Sequence, residues 1–84
     1  MNRFMTETEQ ERCRNWINKN VNRHWRRIVD SYCLKHICQF QTNIYCSVDE
    51  FANMMRECGF MNLEGSKYAF YAIVKPEVLQ EYYK

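Results

Sequence analysis

The sequence predicts a small α+β domain in which three helices precede a β-hairpin and a short last helix. Three observations predict it. Thr6-Glu7-Thr8-Glu9 and Ser47-Val48-Asp49-Glu50 both have the Ser/Thr-x-x-Glu form of a capping box, in which the hydroxyl accepts from a first-turn amide and the glutamate reaches back. Each opens a run of apolar residues spaced three and four apart, the signature of one helix face. Lys67-Tyr-Ala-Phe-Tyr-Ala-Ile-Val-Lys75 is aromatic and β-branched and follows the turn residues Glu64-Gly65-Ser66, which marks a strand leaving a turn.

After the first box, Cys13, Trp16, Ile17, Val21, Trp25, Ile28, Val29, Tyr32, Cys33, His36, Ile37 and Phe40 keep helical spacing. One helix from 7 to 40 would be about 50 Å long at 1.5 Å per residue, too long for a domain of this size to bury on one side. The expected break lies within Asn18 to Asn22, because asparagine forms helices poorly and caps them well. Two helices are therefore expected between 7 and 40, then a connection ending in a short extended piece, Ile44-Tyr45-Cys46. A third helix runs from Val48 to Cys58, with Gly59 as its left-handed stop. Phe60-Met-Asn-Leu63 and Lys67–Lys75 form the hairpin, and Pro76 suits the first turn of the last helix.

Length and composition narrow the function. The 84 residues make one domain, from 1 to 84, with too little volume for a core and a deep substrate cavity together, so an enzyme is not expected. No apolar run approaches the ~20 residues that span a bilayer, and residues 1–11 lack the apolar core of a signal peptide. The expected location is cytoplasmic, with no membrane partner. Five cysteines without a secretory signal read as buried or half-exposed thiols. Cys33, His36, Cys38 and Cys46 are the nearest approach to a zinc set, but Cys38 points off the face shared by Cys33 and His36, and no Cys-x-x-Cys pair exists. No nucleophile elbow, phosphate loop or dinucleotide turn is present, so no cofactor and no catalytic residue is assigned.

Charge is unevenly placed. Residues 1–29 carry seven cations against three acids, whereas residues 30–84 carry five against seven. Within the first part, RCRNWINKNVNRHWRR (12–27) holds six cations, two tryptophans and no acid. If the helix continues through Asn20, then Lys19, Arg23, Arg26 and Arg27 fall within about 60° of Arg12, with Trp16 beside them, and Ile17, Val21, Trp25, Ile28 and Tyr32 lie opposite. On that geometry Trp25 belongs to the core and Trp16 to the basic face. The surface suits an acidic protein or nucleoprotein complex anchored on Trp16 and the arginines. It equally suits DNA or RNA phosphates, with Lys67 at the hairpin tip assisting. An ordinary solvated helix face is the bland alternative.

Three helices followed by a hairpin have a winged-helix-like outline. The run from Tyr32-Cys33 through Ser47-Val-Asp-Glu-Phe51 to Cys58-Gly59-Phe60 and then Lys67-Tyr-Ala-Phe-Tyr-Ala-Ile-Val resembles the terminal winged-helix module of viral and phage D5-type primase-helicases, over roughly residues 25 to 75. The resemblance implies the fold and a phage or mobile-element setting. That family tends to carry basic residues in the third helix and on the wing, and this chain departs from it. Its third helix bears Asp49, Glu50, Arg56 and Glu57, so phosphates flanking a major groove would repel it, and only Asn53 and Arg56 are left to read bases. The leading expectation is a non-enzymatic binding protein, an inhibitor or regulator that docks on a larger machine through the basic face. A nucleic-acid binder using the same stripe is the alternative, and the free hairpin edge offers a route to a homodimer.

Overall fold

The computed structural model describes residues 5–84. Arg3, counted among the cations of the first part, and the first four of residues 1–11, where no signal-peptide core is expected, lie outside them. The order is α1 (Glu7–Asn20), β1 (Val21–Asp30), α2 (Ser31–Thr42), α3 (Val48–Glu57), β2 (Ala69–Val74) and α4 (Pro76–Tyr82). The expected class, α+β, stands, with four helices and an antiparallel strand pair. The expected order does not, because a strand of ten residues occupies the place of a helix.

Both capping boxes form as the sequence requires. Thr6 Oγ1 accepts from Glu9 N at 3.2 Å while Thr6 N donates to Glu9 Oε1, and Ser47 and Glu50 repeat the exchange at the start of α3. The first helix buries Cys13, Trp16, Ile17 and Asn20, the i, i+3, i+4, i+7 set of a single face. It ends at Asn20, inside the expected window. From there the chain extends instead of starting a new helix, and Lys75 N donates to Asn20 O, tying the corner to the far end of β2. Asp30 then caps α2 by accepting from Tyr32 N at 2.7 Å.

The sheet pairs β1 with β2, not two arms of a local hairpin. Residues 60–63 contribute one bridge, Asn62 opposite Phe70, flanked by bonds from Leu63 N to Ala69 O and from Tyr71 N to Met61 O. So β2 lies between β1 and this short segment. The expected first hairpin arm is reduced to one pairing because the turn is held by side chains: Arg56 and Asn62 both donate to Lys67 O. The expected extended piece at Ile44–Cys46 is not a strand, although Ile44 and Cys46 are buried. Phe70, Ala72 and Val74 face inward, and Ala69, Tyr71 and Ile73 are half-buried on the other side, the strict alternation of a strand with one packed face.

A single core joins Cys13 and Ile17 of α1, Leu34 and Cys38 of α2, Phe51 and Met55 of α3, and Phe70 of β2, each almost wholly removed from solvent. The radius of gyration, 12.0 Å, is the value of about 12 Å that a chain of this length has when it packs round one core.

Candidate functional site

The register of the sheet breaks where the sequence is most basic. Arg23 faces Ala72 and Ile28 faces Tyr71, so neighbouring residues of β2 oppose residues of β1 that are separated by His24, Trp25, Arg26 and Arg27. Those four have no place in the ladder and must leave it as an enlarged bulge. One side chain braces the excursion: His24 Nδ1 accepts from the backbone N–H groups of both Arg26 and Arg27 at 3.1 Å. The imidazole here does what an Asx side chain does in a turn, satisfying amides that the sheet cannot reach.

The bulge presents Trp25, 74% exposed, with the Arg26 guanidinium 4.2 Å from its ring centroid. A cation this close to an indole face is attracted by the ring quadrupole and holds the two side chains together. Arg27 is exposed beside them, and among the described residues no carboxylate lies within ion-pair distance of either arginine. Next to the bulge, between β1, α2, β2 and α4, is a mainly apolar groove of about 310 Å3 whose lining includes two charged residues, Arg27 and Asp30.

The six-cation stretch is thus divided rather than continuous. Arg12 and Lys19 sit on α1 and line a separate shallow cleft with Asn15, Phe40 and Glu81. Arg12 also donates to Thr42 O at 3.3 Å, at the negative end of α2. Arg23 closes the end of α3 by donating to Gly59 O at 3.0 Å and Cys58 O at 3.1 Å, with its guanidinium over Phe60. Lys67 is exposed at the turn before β2, and its carbonyl, not its ammonium, is the bonded group.

The two tryptophans exchange the places expected of them. Trp16 is buried, 7% exposed, edge-on to Phe51, and its indole N–H donates to Gln41 Oε1 at 2.7 Å. Trp25 was expected opposite the cations, in the core, and stands among them in solvent. The helical projection ran through Asn20, and past that point a rotation of 100° per residue no longer applies. On α3, the two expected base readers are bound to each other: Arg56 donates to Asn53 Oδ1 at 2.7 Å, to Asn62 Oδ1 at 2.8 Å and to Lys67 O at 2.7 Å. Among the residues of the bulge and groove, helical periodicity places Trp25 and Ile28 on the buried side and passes over His24. The available signal is HWRR itself, a clustered aromatic-cationic run that begins four residues past the helix end at Asn20.

Among the cysteines, Cys33 is exposed, Cys58 half-buried, and Cys13, Cys38 and Cys46 buried, all as free thiols. Among the described residues, no three His, Cys, Asp or Glu side chains are grouped to hold a metal ion, and no helix is long and apolar enough to cross a membrane. Comparison with protein families, curated proteins and solved structures finds no match to this chain.

Proposed function

We propose that this protein is a docking module that binds a larger protein through Trp25, Arg26 and Arg27, carried by a winged-helix-like frame. The observation that carries the reading is the bulge, which takes a tryptophan and two uncompensated arginines out of the sheet and braces them there. Tryptophan and arginine are the residues that most often dominate binding energy at protein interfaces. Two unpaired guanidinium groups favour an acidic partner surface. The position of β2 between β1 and residues 61–63, after three helices, supports the winged-helix-like frame.

Direct nucleic-acid binding is the second reading, favoured by the open indole, on which a base stacks well when cations neutralise the adjoining phosphates. Against it stand the acidic α3, whose Asn53 and Arg56 are engaged with each other, and the apolar groove, which phosphates do not need.

Tryptophan emission tests the choice, because Trp16 is buried and the solvent-facing signal is that of Trp25. Single- and double-stranded oligonucleotides at low salt are expected to leave it unchanged. Saturable quenching that weakens steeply with salt would replace docking by the nucleic-acid reading. In capture from the source cell, Trp25→Ala and the Arg26→Glu, Arg27→Glu pair are expected to lose a partner that Lys67→Ala retains.

A further inference from the structure

The bulge creates a gap as well as a projection. Where β1 leaves β2, the groove is lined by Ile73 and Val74 of β2, Leu34 and Ile37 of α2, Leu79 of α4 and its C-cap Tyr83. Ile28, 51% exposed, is part of its lining. We infer that this groove receives a large apolar side chain from an acidic segment of the partner protein, with Trp25, Arg26 and Arg27 covering the flanking carboxylates. The inference rests on the docking reading and specifies what docks.

Size and lining select the occupant. At about 310 Å3 the groove is at the small end of ligand sites, which run from about 300 to 1,000 Å3, and most of its lining carries no polar side-chain group of the kind that orients a small molecule. A leucine, isoleucine or phenylalanine side chain needs no such groups. The charges in its lining are unequal in effect. Asp30 is already engaged, accepting from Tyr32 N at 2.7 Å at the positive end of α2, which offsets part of its charge within the fold. Arg27 has no such partner among the described residues, and Arg26 has only the Trp25 ring. A segment entering the groove therefore meets apolar walls and uncompensated positive charge, the complement of an apolar residue flanked by Asp or Glu.

The test is methyl- and indole-observed NMR on the full chain, titrated with four probes. These are a short peptide with a Leu-Phe pair flanked by Glu and Asp, the same peptide with Ala-Ala at the centre, the Leu-Phe peptide flanked by Lys, and oligo-dT. The acidic Leu-Phe peptide is expected to move the Ile28, Ile37, Val74 and Leu79 methyls together with the Trp25 indole. The Ala-Ala peptide, and the Ile28→Arg variant titrated with the first peptide, are each expected to bind about tenfold more weakly, and the Lys-flanked peptide weaker still. If the acidic peptides move Trp25 but leave the groove methyls in place, the groove assignment is overturned and docking through the bulge stands. If oligo-dT moves Trp25 and no peptide does, both fall. Absence of any shift at millimolar peptide also overturns the groove assignment. Ile28 is half in solvent, so Ile28→Arg folds, and an unchanged spectrum away from the groove verifies it.

Discussion

Trp16 and Trp25 belong to one basic stretch and have opposite roles, and the difference is local. Trp16 shares the i, i+3, i+4, i+7 face of Cys13, Ile17 and Asn20, so its indole packs on Phe51 and its N–H reaches Gln41. Trp25 follows the helix end and has no face to join. Trp16→Ala is expected to destabilise the fold by about 3–5 kcal/mol, as the loss of a buried large aromatic does. Trp25→Ala is expected to change stability by less than about 0.5 kcal/mol. Urea unfolding of the two variants measures both, and a large loss for Trp25→Ala would contradict the placement. Gly59 is a second residue whose identity is dictated locally. Its φ is +91°, and a Cβ there would lie 2.5 Å from the Arg23 guanidinium that caps α3. Gly59→Ala is expected to cost about 1–3 kcal/mol, through left-handed strain and the displaced cap.

β1 is the element that periodicity could not reveal, and the bulge is the reason. Val21, Trp25, Ile28 and Tyr32 are spaced like a helix face, while the alternation that identifies a strand is interrupted by His24–Arg27. Without those residues the strand would be Val-Asn-Arg-Ile-Val-Asp, a short β-branched segment. The other elements announce themselves: two capping boxes start α1 and α3, Pro76 starts α4, and the aromatic run after Ser66 becomes β2. The partner of β2 was hidden too, since pairing distant segments leaves no local mark, whereas a turn suggests a hairpin whether or not one forms. Candidate site residues were legible as a composition, cationic and aromatic between 12 and 27, but their grouping depended on the element that was misread. Deleting His24–Arg27 follows from the register, for it brings Arg23 and Ile28 into succession opposite Ala72 and Tyr71. The shortened chain is expected to fold with equal or greater stability and stronger hydrogen-exchange protection across β1, and to lose partner capture. Unfolding of the shortened chain would show that the excursion is needed by the sheet. At the same scale, His24→Ala is expected to loosen the bulge and weaken docking, whereas His24→Asn, whose side-chain oxygen can accept the same amides, keeps most of it.

The whole molecule is held by one small core, and two of the three cysteines inside it, Cys38 and Cys46, hold their protons more tightly there, which makes stability sensitive to alkali. Burial pushes the Cys46 thiol up to about 12 from 9.0, with the neighbouring Cys13 and Glu50 adding to the shift. The Cys13 hydrogen bond, followed by burial, pushes Cys38 up as well, while the same bond lowers Cys13. In the unfolded chain Cys46 ionises near 9, but in the fold it keeps its proton to about 12. The native state therefore binds the extra proton between these values. Its contribution is complete below pH 9 and is lost as pH rises toward 12, at up to about 1.4 kcal/mol per pH unit for one group. Urea midpoints are expected to fall as pH rises above about 9, by an amount that the lowered Cys13 thiol partly offsets. Cys46→Ala lowers stability at neutral pH by removing a packed sulfur, yet it should flatten the alkaline fall because one retained proton is gone. Tyr68 shifts in the same direction through its 2.7 Å bond to Asp49, so Tyr68→Phe measured alongside separates the phenol from the thiols. An alkaline slope unchanged in Cys46→Ala would mean that the retained protons reside elsewhere in the core. The same burial predicts the labelling pattern: at neutral pH a maleimide modifies Cys33 rapidly and Cys58 more slowly, and Cys13, Cys38 and Cys46 react only as the core opens.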